Sequence, residues 1–336
     1  MNIFRKILLP ISMIYGTVIW FRNFLFDNGF ISIYHPKVNA ICIGNLSVGG
    51  TGKTPHTELF AKLLNKKNKS VAILSRGYGR ITAGFIKVEN NMSATEVGDE
   101  PLQMRQNLPA NINCYVCEDR KLGIENILAI EPQINFILLD DAFQHRKVKC
   151  AYNVLLTDNQ IPFYDDYFLP TGSLRDAKQS AKRADIIIVT KCDEHTNKTA
   201  IIERIKKYSS AQIVFSQIVY GDQLIHVTGG NNLNIDFVKN QKCIVFTGIS
   251  NPVPFINHLT KLTSIVKHFE YADHYYFKRS DVDNIAASYK QLPANSIIIT
   301  TQKDAMRIKN LNGIKGLPIY YLPVEIDCPI PEFIME

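Results

Sequence analysis

Residues 47–54 read Ser47-Val48-Gly49-Gly50-Thr51-Gly52-Lys53-Thr54, and the architecture of the chain follows from them. The phosphate-loop pattern Gly-x-x-x-x-Gly-Lys-Ser/Thr is met at Gly52, Lys53 and Thr54, with Ser47 in place of the first glycine. Glycines let the backbone wrap so that its N–H groups point at phosphate oxygens. A helix beginning near Thr54 presents its positive end to the same anion. Lys53 adds a full charge against the β- and γ-phosphates, and the Thr54 hydroxyl is suited to ligate Mg2+. Residues Ser47 through Thr54 are therefore expected to hold a nucleoside triphosphate.

The surroundings fit a loop of this kind. Val38 to Ile43 is a short apolar run stopping at Gly44, as a buried strand does before a turn. The helix from Thr54 would carry Leu59, Phe60, Leu63 and Leu64 on one face. Val71–Leu74, Phe136–Leu139, Val154–Thr157 and Ile186–Val189 read as further strands. Strands apolar throughout and separated by helical stretches imply a parallel sheet covered on both faces. Ligands of such sheets lie at the carboxyl ends of the strands. The expected fold class is α/β: a P-loop NTPase-type parallel sheet over residues 31–211, with helices on both faces. Between Gln212 and Val227 two extended segments flank Gly221-Asp222, which predicts a β-hairpin connector at 212–230. Cys243–Thr247 and Ile297–Thr300 then restart the pattern as a smaller α/β domain over 231–336.

Composition narrows the function classes. An apolar fraction of 46% with 21% charged residues describes a folded globular chain. The formal charge of +7 favours an acidic partner: an anionic membrane or a phosphorylated substrate. The charges are scattered apart from short clusters such as Lys66, Lys67 and Lys69, and no recognition module accompanies them, so nucleic acid is not expected. Seven cysteines follow no disulfide spacing, and Cys114-x-x-Cys117 has no second pair to complete a zinc set. Its context, a half-buried strand, makes both small hydrophobes in a reduced, cytoplasmic chain.

The N-terminus differs from the rest. Ile7 to Phe21 carries no charge and is flanked by Arg5, Lys6 and Arg22. As a helix it spans about 22 Å at 1.5 Å per residue, short of a bilayer core of about 30 Å. Pro10 and Gly16 weaken a straight span further, and no A-x-A cleavage site follows. Trp20, Phe21, Phe24, Leu25 and Phe26 around Arg22 are the residues that settle at headgroup depth, so residues 1–30 are read as a membrane-interfacial helix.

Ile137-Leu138-Leu139 delivers Asp140-Asp141 to the sheet edge that carries the phosphate loop. Mg2+ binds through one or two carboxylates plus phosphates, so the pair is a candidate for holding it with Thr54. Thr190-Lys191-Cys192-Asp193 resembles the element by which GTPases read guanine, and Thr301-Gln302-Lys303-Asp304 is a looser likeness. A GTPase switch or metal-insertion NTPase is therefore the competing reading. Against it, no switch glycine follows Asp140-Asp141 at the expected spacing; nucleotide preference separates the two.

Taken in order, SVGGTGKTP (47–55), LSRGYGR (74–80), GDEP (98–101), LLDDAFQH (138–145), LPTGSLRD (169–176), Asp273-His274-Tyr275 and TTQKDA (300–305) form a series. It resembles the tetraacyldisaccharide 4′-kinase family, the lipid A 4′-kinases of Gram-negative bacteria, from the N-terminal helix to about residue 325. The resemblance implies transfer of the ATP γ-phosphate to the 4′-hydroxyl of an acylated glucosamine disaccharide 1-phosphate, at the cytoplasmic face of the inner membrane. The family usually has glycine where Ala142 stands and glutamate where Asp176 stands, one methylene longer.

Roles follow from the chemistry. A sugar hydroxyl must lose its proton during transfer, and a carboxylate within reach can orient it and accept that proton. Asp99 is the leading candidate, with Glu100 beside it, and the resemblance pairs this acid with His274. Since His274 belongs to the second domain, the connector is expected to act as a hinge. Mg2+ is expected on Thr54, Asp140 and Asp141, with Asp176 nearby. Arg76 can pair with an anionic phosphate and Tyr78 can lie on a sugar face; Arg80 follows in the same loop. Arg120 and Arg175 are candidates for stabilising charge on the transferring group.

Overall fold

The computed structural model describes residues 7–239, 241–249, 251–273, 275–309 and 311–331. His274 lies outside the described residues. The chain forms two compact units, one running up to Ile218 and resumed from Ile326, the other Val219–Glu325.

The first unit is built on an eight-stranded sheet. In chain order its strands are β1 (Asn39–Asn45), β2 (Val71–Ser75), β3 (Ile86–Lys87), β4 (Asn113–Val116), β5 (Phe136–Asp140), β6 (Tyr152–Asp158), β7 (Ile186–Thr190) and β8 (Gln212–Phe215). They lie in the order β3-β4-β2-β5-β1-β6-β7-β8, all parallel except β3 at one edge. Alternation along β1 explains the two apolar layers. Ile41 and Ile43 enter one cluster while Ala40 and Cys42 enter the other. Each fully buried isoleucine stabilises the sheet by about 1.5–3 kcal/mol relative to exposure.

Helices cover both faces: α1 (Leu9–Asp27), α2 (Lys53–Lys66), α3 (Ala94–Val97), α4 (Asp99–Asn107), α5 (Arg120–Ile130) and α6 (Lys198–Ile205). Phe60 and Leu64 of α2 are fully buried against Ile73 and Leu138, with Leu59 and Leu63 flanking them, as the spacing predicts. Cys114 and Cys117 are free and buried in β4 and just beyond it. The parallel sheet with helices on both faces is thus the architecture expected from the sequence.

The hairpin is corrected. Gln212–Phe215 joins the first sheet as β8, alongside β7. The next stretch, β9 (Gln217–Tyr220), pairs with the late strand β16 (Val324–Asp327), and β10 (Gln223–His226) pairs elsewhere. Gly221 closes no hairpin: its N–H donates to Pro323 O, just ahead of β16, so the chain passes from β9 to β10 alongside the stretch that returns. The physical reason lies at the edge of β7: Ile186–Thr190 is wholly buried, and its outer backbone groups need a partner that a local hairpin would leave unmade. The C-terminal stretch likewise leaves the second unit at about Ile326 and rejoins the first.

The second unit holds β10, β11 (Leu233–Asn234), β12 (Lys242–Thr247), β13 (Ser264–Glu270), β14 (Ile297–Thr301) and β15 (Ile319–Leu322), in the order β11-β10-β15-β14-β12-β13. Its helices are α7 (Val253–Thr260), α8 (Arg279–Tyr289) and α9 (Gln302–Ile308). Four strands are parallel, and the inner three, β15, β14 and β12, lie buried between two apolar clusters, which makes it a small α/β unit.

Candidate active site

β1 ends at Asn45, and residues 47–52 turn above the sheet edge before α2 begins at Lys53. Ser47 and Thr51 are buried and anchor the loop, whereas Val48, Gly49 and Gly50 are exposed. Gly52 has φ +83°, a left-handed conformation that costs a side-chain-bearing residue about 1–2 kcal/mol. Asn45 Nδ2 donates to Thr51 Oγ1 at 2.8 Å, and Val48 N donates to Ser173 O at 2.8 Å. The loop is therefore shaped before any phosphate arrives. His56 locks its far end: Nδ1 meets Gly52 O at 2.7 Å and Nε2 meets Ser216 Oγ at 2.9 Å. Burial pushes this imidazole down to about 4, so it is neutral, donating through Nδ1 and accepting from the serine.

The acidic pair divides in function. Asp140 ends β5 and is buried, and its oxygens accept only long bonds, from Thr57 Oγ1 at 3.2 Å and Ser75 Oγ at 3.3 Å. Burial pushes its carboxyl up to about 6, with Asp141 and Glu100 adding to the effect against Lys53 and Arg120. Asp141, with φ +48°, turns outward to Lys53 Nζ at 3.9 Å. Arg175 grips it through both terminal nitrogens, Nη1 at 3.1 Å from Oδ2. Burial raises Asp141, but Lys53 and Arg175 outweigh it and hold the carboxyl below its ordinary value.

Hard oxygen donors suit Mg2+, and Thr54, Asp140 and Asp141 supply them at one edge. A buried, weakly satisfied carboxylate such as Asp140 fits a cation. Among the described residues no group of three or more His, Cys, Asp or Glu gathers as a metal cluster. An ion held by these residues would therefore need phosphate and water to complete its shell.

Asp176 does not belong to that set. It is fully buried, ion-paired with Arg183 at 2.7 Å, and Oδ1 accepts from Asn23, Ser180 and its neighbour's amide at 2.8–2.9 Å. Its oxygens are spent on protein donors. Arg120 is corrected as well: 2% exposed, it lies beneath the edge and donates to Cys117 O at 2.6 Å and Asp140 O at 3.1 Å. It backs the carboxylates electrostatically and does not present itself to a ligand. Arg80 is likewise turned away, paired with Glu118 and donating to Gly84 O at 2.7 Å.

The GDEP and RGYGR segments meet through two glycines. A Cβ on Gly98 would come within 3.2 Å of the Gly77 backbone, and one on Gly77 within 3.0 Å of Val97 O. This close approach sets Asp99, the first residue of α4, beside the loop bearing exposed Arg76 and Tyr78. Gly98 occupies the cap position, so Asp99 is not the cap. Glu100 is close enough to raise Asp140, which ties this loop to the acidic pair. His145 joins the group unforeseen: burial, then Arg120 and Arg76, push it down to about 4. Thr57 and Ser75 were also missed, although Thr57 stands one helical turn after Thr54 and was findable by that spacing.

In the guanine-like element Asp193 serves its own turn and also lines a cavity. Asp193 Oδ1 accepts from Thr196 Oγ1 at 2.9 Å and His195 N at 3.1 Å, closing its own turn. Beside it a cavity of about 280 Å³ is lined by Cys192, Lys198, Phe215, Ser216 and Gln217 among others. In the second unit, buried Asp304 accepts from Gly248 N at 2.9 Å and Thr301 Oγ1 at 2.7 Å, which gives TTQKDA a structural purpose. Asp273 pairs with Lys303 at 3.6 Å.

Comparison with known proteins follows the same line. The family model described as tetraacyldisaccharide-1-P 4′-kinase matches residues 4–334. The tetraacyldisaccharide 4′-kinase of Cytophaga hutchinsonii is 37% identical over 331 residues, covering 96% of this chain and 92% of that one. That of Flavobacterium psychrophilum is 40% identical over 330 residues, covering 97% and 93%. Among solved structures, LpxK from Aquifex aeolicus in complex with ATP superposes with a TM-score of 0.78 at 29% identity, over 99% of this chain and 97% of that one.

Proposed function

The chain belongs to the tetraacyldisaccharide-1-P 4′-kinase family and is an ATP-dependent kinase of lipid A biosynthesis, and we propose that it works from the carboxyl edge of the first sheet while resting on a membrane. The observation that carries this is the convergence of the 47–54 loop, Asp140, Asp141, Arg175 and the Gly98-Asp99 turn on one edge. The acceptor is an acylated glucosamine disaccharide 1-phosphate, in keeping with the family's description as a tetraacyldisaccharide-1-P 4′-kinase.

Phosphoryl transfer is mostly positioning and charge stabilisation, because the transition state is loose. The amides of residues 48–54 and Lys53 receive the β- and γ-phosphates. Thr54, Asp140 and Asp141 would hold Mg2+, which when bound neutralises charge developing on the phosphate oxygens. Arg175 and Lys53, now paired with Asp141, flank the phosphate seat as its two cations. The cavity beside Ser216 suits the nucleobase, since His56 bridges that serine and Gly52 of the phosphate loop. Asp99 orients the 4′-hydroxyl and takes its proton, from its place at the start of α4 beside the Arg76–Tyr78 loop. Arg76 and Tyr78 are left to meet the sugar and its phosphate.

α1 supplies the membrane seat. Met13, Ile14, Val18, Trp20, Phe21 and Phe24 are all exposed on its outer side. Its 19 residues are long and apolar enough to cross a membrane by length and composition. Its inner side is hydrogen-bonded to the protein, which favours lying on a membrane surface instead of spanning it, and we take that surface to be the cytoplasmic face of the inner membrane.

The experiment is transfer of label from γ-labelled ATP to acylated glucosamine disaccharide 1-phosphate in mixed micelles with Mg2+. Intact protein is expected to label the lipid. Lys53→Ala should abolish this, and Asp99→Ala should lower kcat by about 10²–10⁴ with ATP binding kept. Hydrolysis selective for GTP, with no label in lipid, overturns the reading; near-normal turnover in Asp99→Ala removes that residue from the base role.

A further inference from the structure

The inner side of α1 is a stripe at helical spacing: Ser12 is 4% exposed, Ile19 and Phe26 each 7%, with Tyr15, Gly16 and Asn23 half-buried between them. Three of its polar side chains meet the stretch 168–176, and Asn23 also reaches Ser180 Oγ at 3.3 Å and accepts from Arg146 Nη1 at 3.3 Å. Ser12 Oγ donates toward Thr171 Oγ1 at 2.7 Å and Phe168 O at 3.0 Å, and accepts from Thr171 N at 3.1 Å. Tyr15 donates to Arg175 O at 3.2 Å, and Asn23 to Asp176 Oδ1 at 2.9 Å. Gly16 lies so close to the Phe168 ring that a Cβ there would come within 2.9 Å of it.

The other side of the same stretch holds the phosphate loop. Ser173 O accepts from Val48 N, Leu174 bridges Ser47, and Arg175 N donates to Leu46 O at 2.8 Å. The Arg175 side chain then reaches Asn45 Oδ1 at 2.6 Å and grips Asp141. Between these two sets of contacts the strap is stiff. A Cβ on Gly172 would sit 2.2 Å from Asp166 Oδ1, and that carboxylate clamps Ser173 N at 3.1 Å. A stiff segment gripped on both sides passes displacement on instead of absorbing it.

We propose that Ser12 and Asn23 are positioning residues for the phosphate site, acting through the 168–176 strap and Arg175, so that seating of α1 on a bilayer and binding of ATP favour each other. Buried Asp176, next to Arg175 in the chain, serves the same linkage by accepting from Asn23 of α1. The inference rests on reading residues 47–54 as the phosphate seat and α1 as the bilayer-facing helix. Coupling of two binding events is reciprocal, so each must strengthen the other by the same factor.

The test measures partition of the full chain onto vesicles of phosphatidylethanolamine and phosphatidylglycerol, with and without Mg2+ and an ATP analogue whose β–γ bridge cannot be hydrolysed. No lipid acceptor is present. The expected result is a partition constant raised about fivefold by nucleotide, with the nucleotide Kd lowered about fivefold by vesicles. In the Ser12→Ala/Asn23→Ala chain both factors should fall to about one, and Ser12→Thr should restore part of the coupling. A factor of one in the intact protein overturns the proposal without recourse to any variant, as does an undiminished factor in the double variant. Lys53→Ala separates the premises: if it binds nucleotide like the intact chain, the phosphate-seat reading fails and takes this inference with it. If Lys53→Ala loses nucleotide while the intact factor is one, only the coupling fails.

Discussion

Single residues carry charge in unfavourable places, and one of them offers a clean measurement. Glu58 on α2 is buried, and its carboxylate accepts from Asn107 Nδ2 at 2.9 and 3.2 Å. Burial pushes it up to about 7 from an ordinary 4.5, against the lowering by Asn107 and Lys62. Below pH about 4.5 the group is neutral in both states and costs nothing. As pH rises to about 7 the unfolded chain ionises first, so stability falls across that window, by about 3 kcal/mol in all. His56 acts in the opposite sense: its lowered value loses stability as pH falls from 6.5 to about 4. Glu58→Gln isolates the first effect. The variant should match the parent near pH 4 and exceed it by up to about 3 kcal/mol at pH 8, read from urea unfolding. Equal stability of the two chains at pH 8 would show the carboxyl is not strained. Nothing in the sequence marks Glu58, since a glutamate on an amphipathic helix ordinarily faces water. Asp140 was legible because a strand delivers it; the fate of Arg120 and Arg80 was not, because a cation in a motif carries no sign of which neighbour it has found.

At the level of elements, α1 shows how far periodicity reads and where it stops. Its apolar residues surround the helix, so their spacing drew no division between a core face and a lipid face. Packing made the division: Ser12, Ile19 and Phe26 turn inward, and the aromatics at 20, 21 and 24 stay out, 41–61% exposed. If that outer face enters a bilayer, replacing Trp20, Phe21 and Phe24 together by serine should weaken partition onto anionic vesicles by about tenfold or more, since each aromatic contributes on the order of 1.5–3 kcal/mol when buried. Co-sedimentation with vesicles measures it, and an unchanged partition would return this face to the aqueous phase. β8 makes the complementary point. Its alternating residues looked like half a hairpin closed at Gly221, and no such hairpin forms. The partner was decided by the open edge of β7, a demand no window of sequence around Gly221 contains.

For the whole molecule, the formal charge of +7 sets a long-range preference for anionic surfaces. Attraction of this kind is screened with a Debye length of about 10 Å at 0.1 M salt and about 3 Å at 1 M. Partition onto anionic vesicles should therefore fall by about tenfold between roughly 0.05 and 0.5 M salt, while partition onto zwitterionic vesicles stays flat. An equal slope on both would assign membrane binding to apolar burial alone. The parallel sheet, the phosphate loop at the end of β1 and the acidic pair at the end of β5 could all be read from the chain before folding. These are short-range facts: runs of apolar residues, glycines that permit a turn, and a lysine and threonine at fixed spacing. Which charges are spent on the protein and which are left for a ligand was settled by folding. Asp176 fell to Arg183 and Asn23, and Arg120 to the Cys117 and Asp140 carbonyls beneath the edge, through partners 3 to 153 residues away in the chain. Ion pairing in a buried setting depends on which groups folding brings within about 4 Å, and the desolvation that forces each charge to find a partner exists only once the chain has folded.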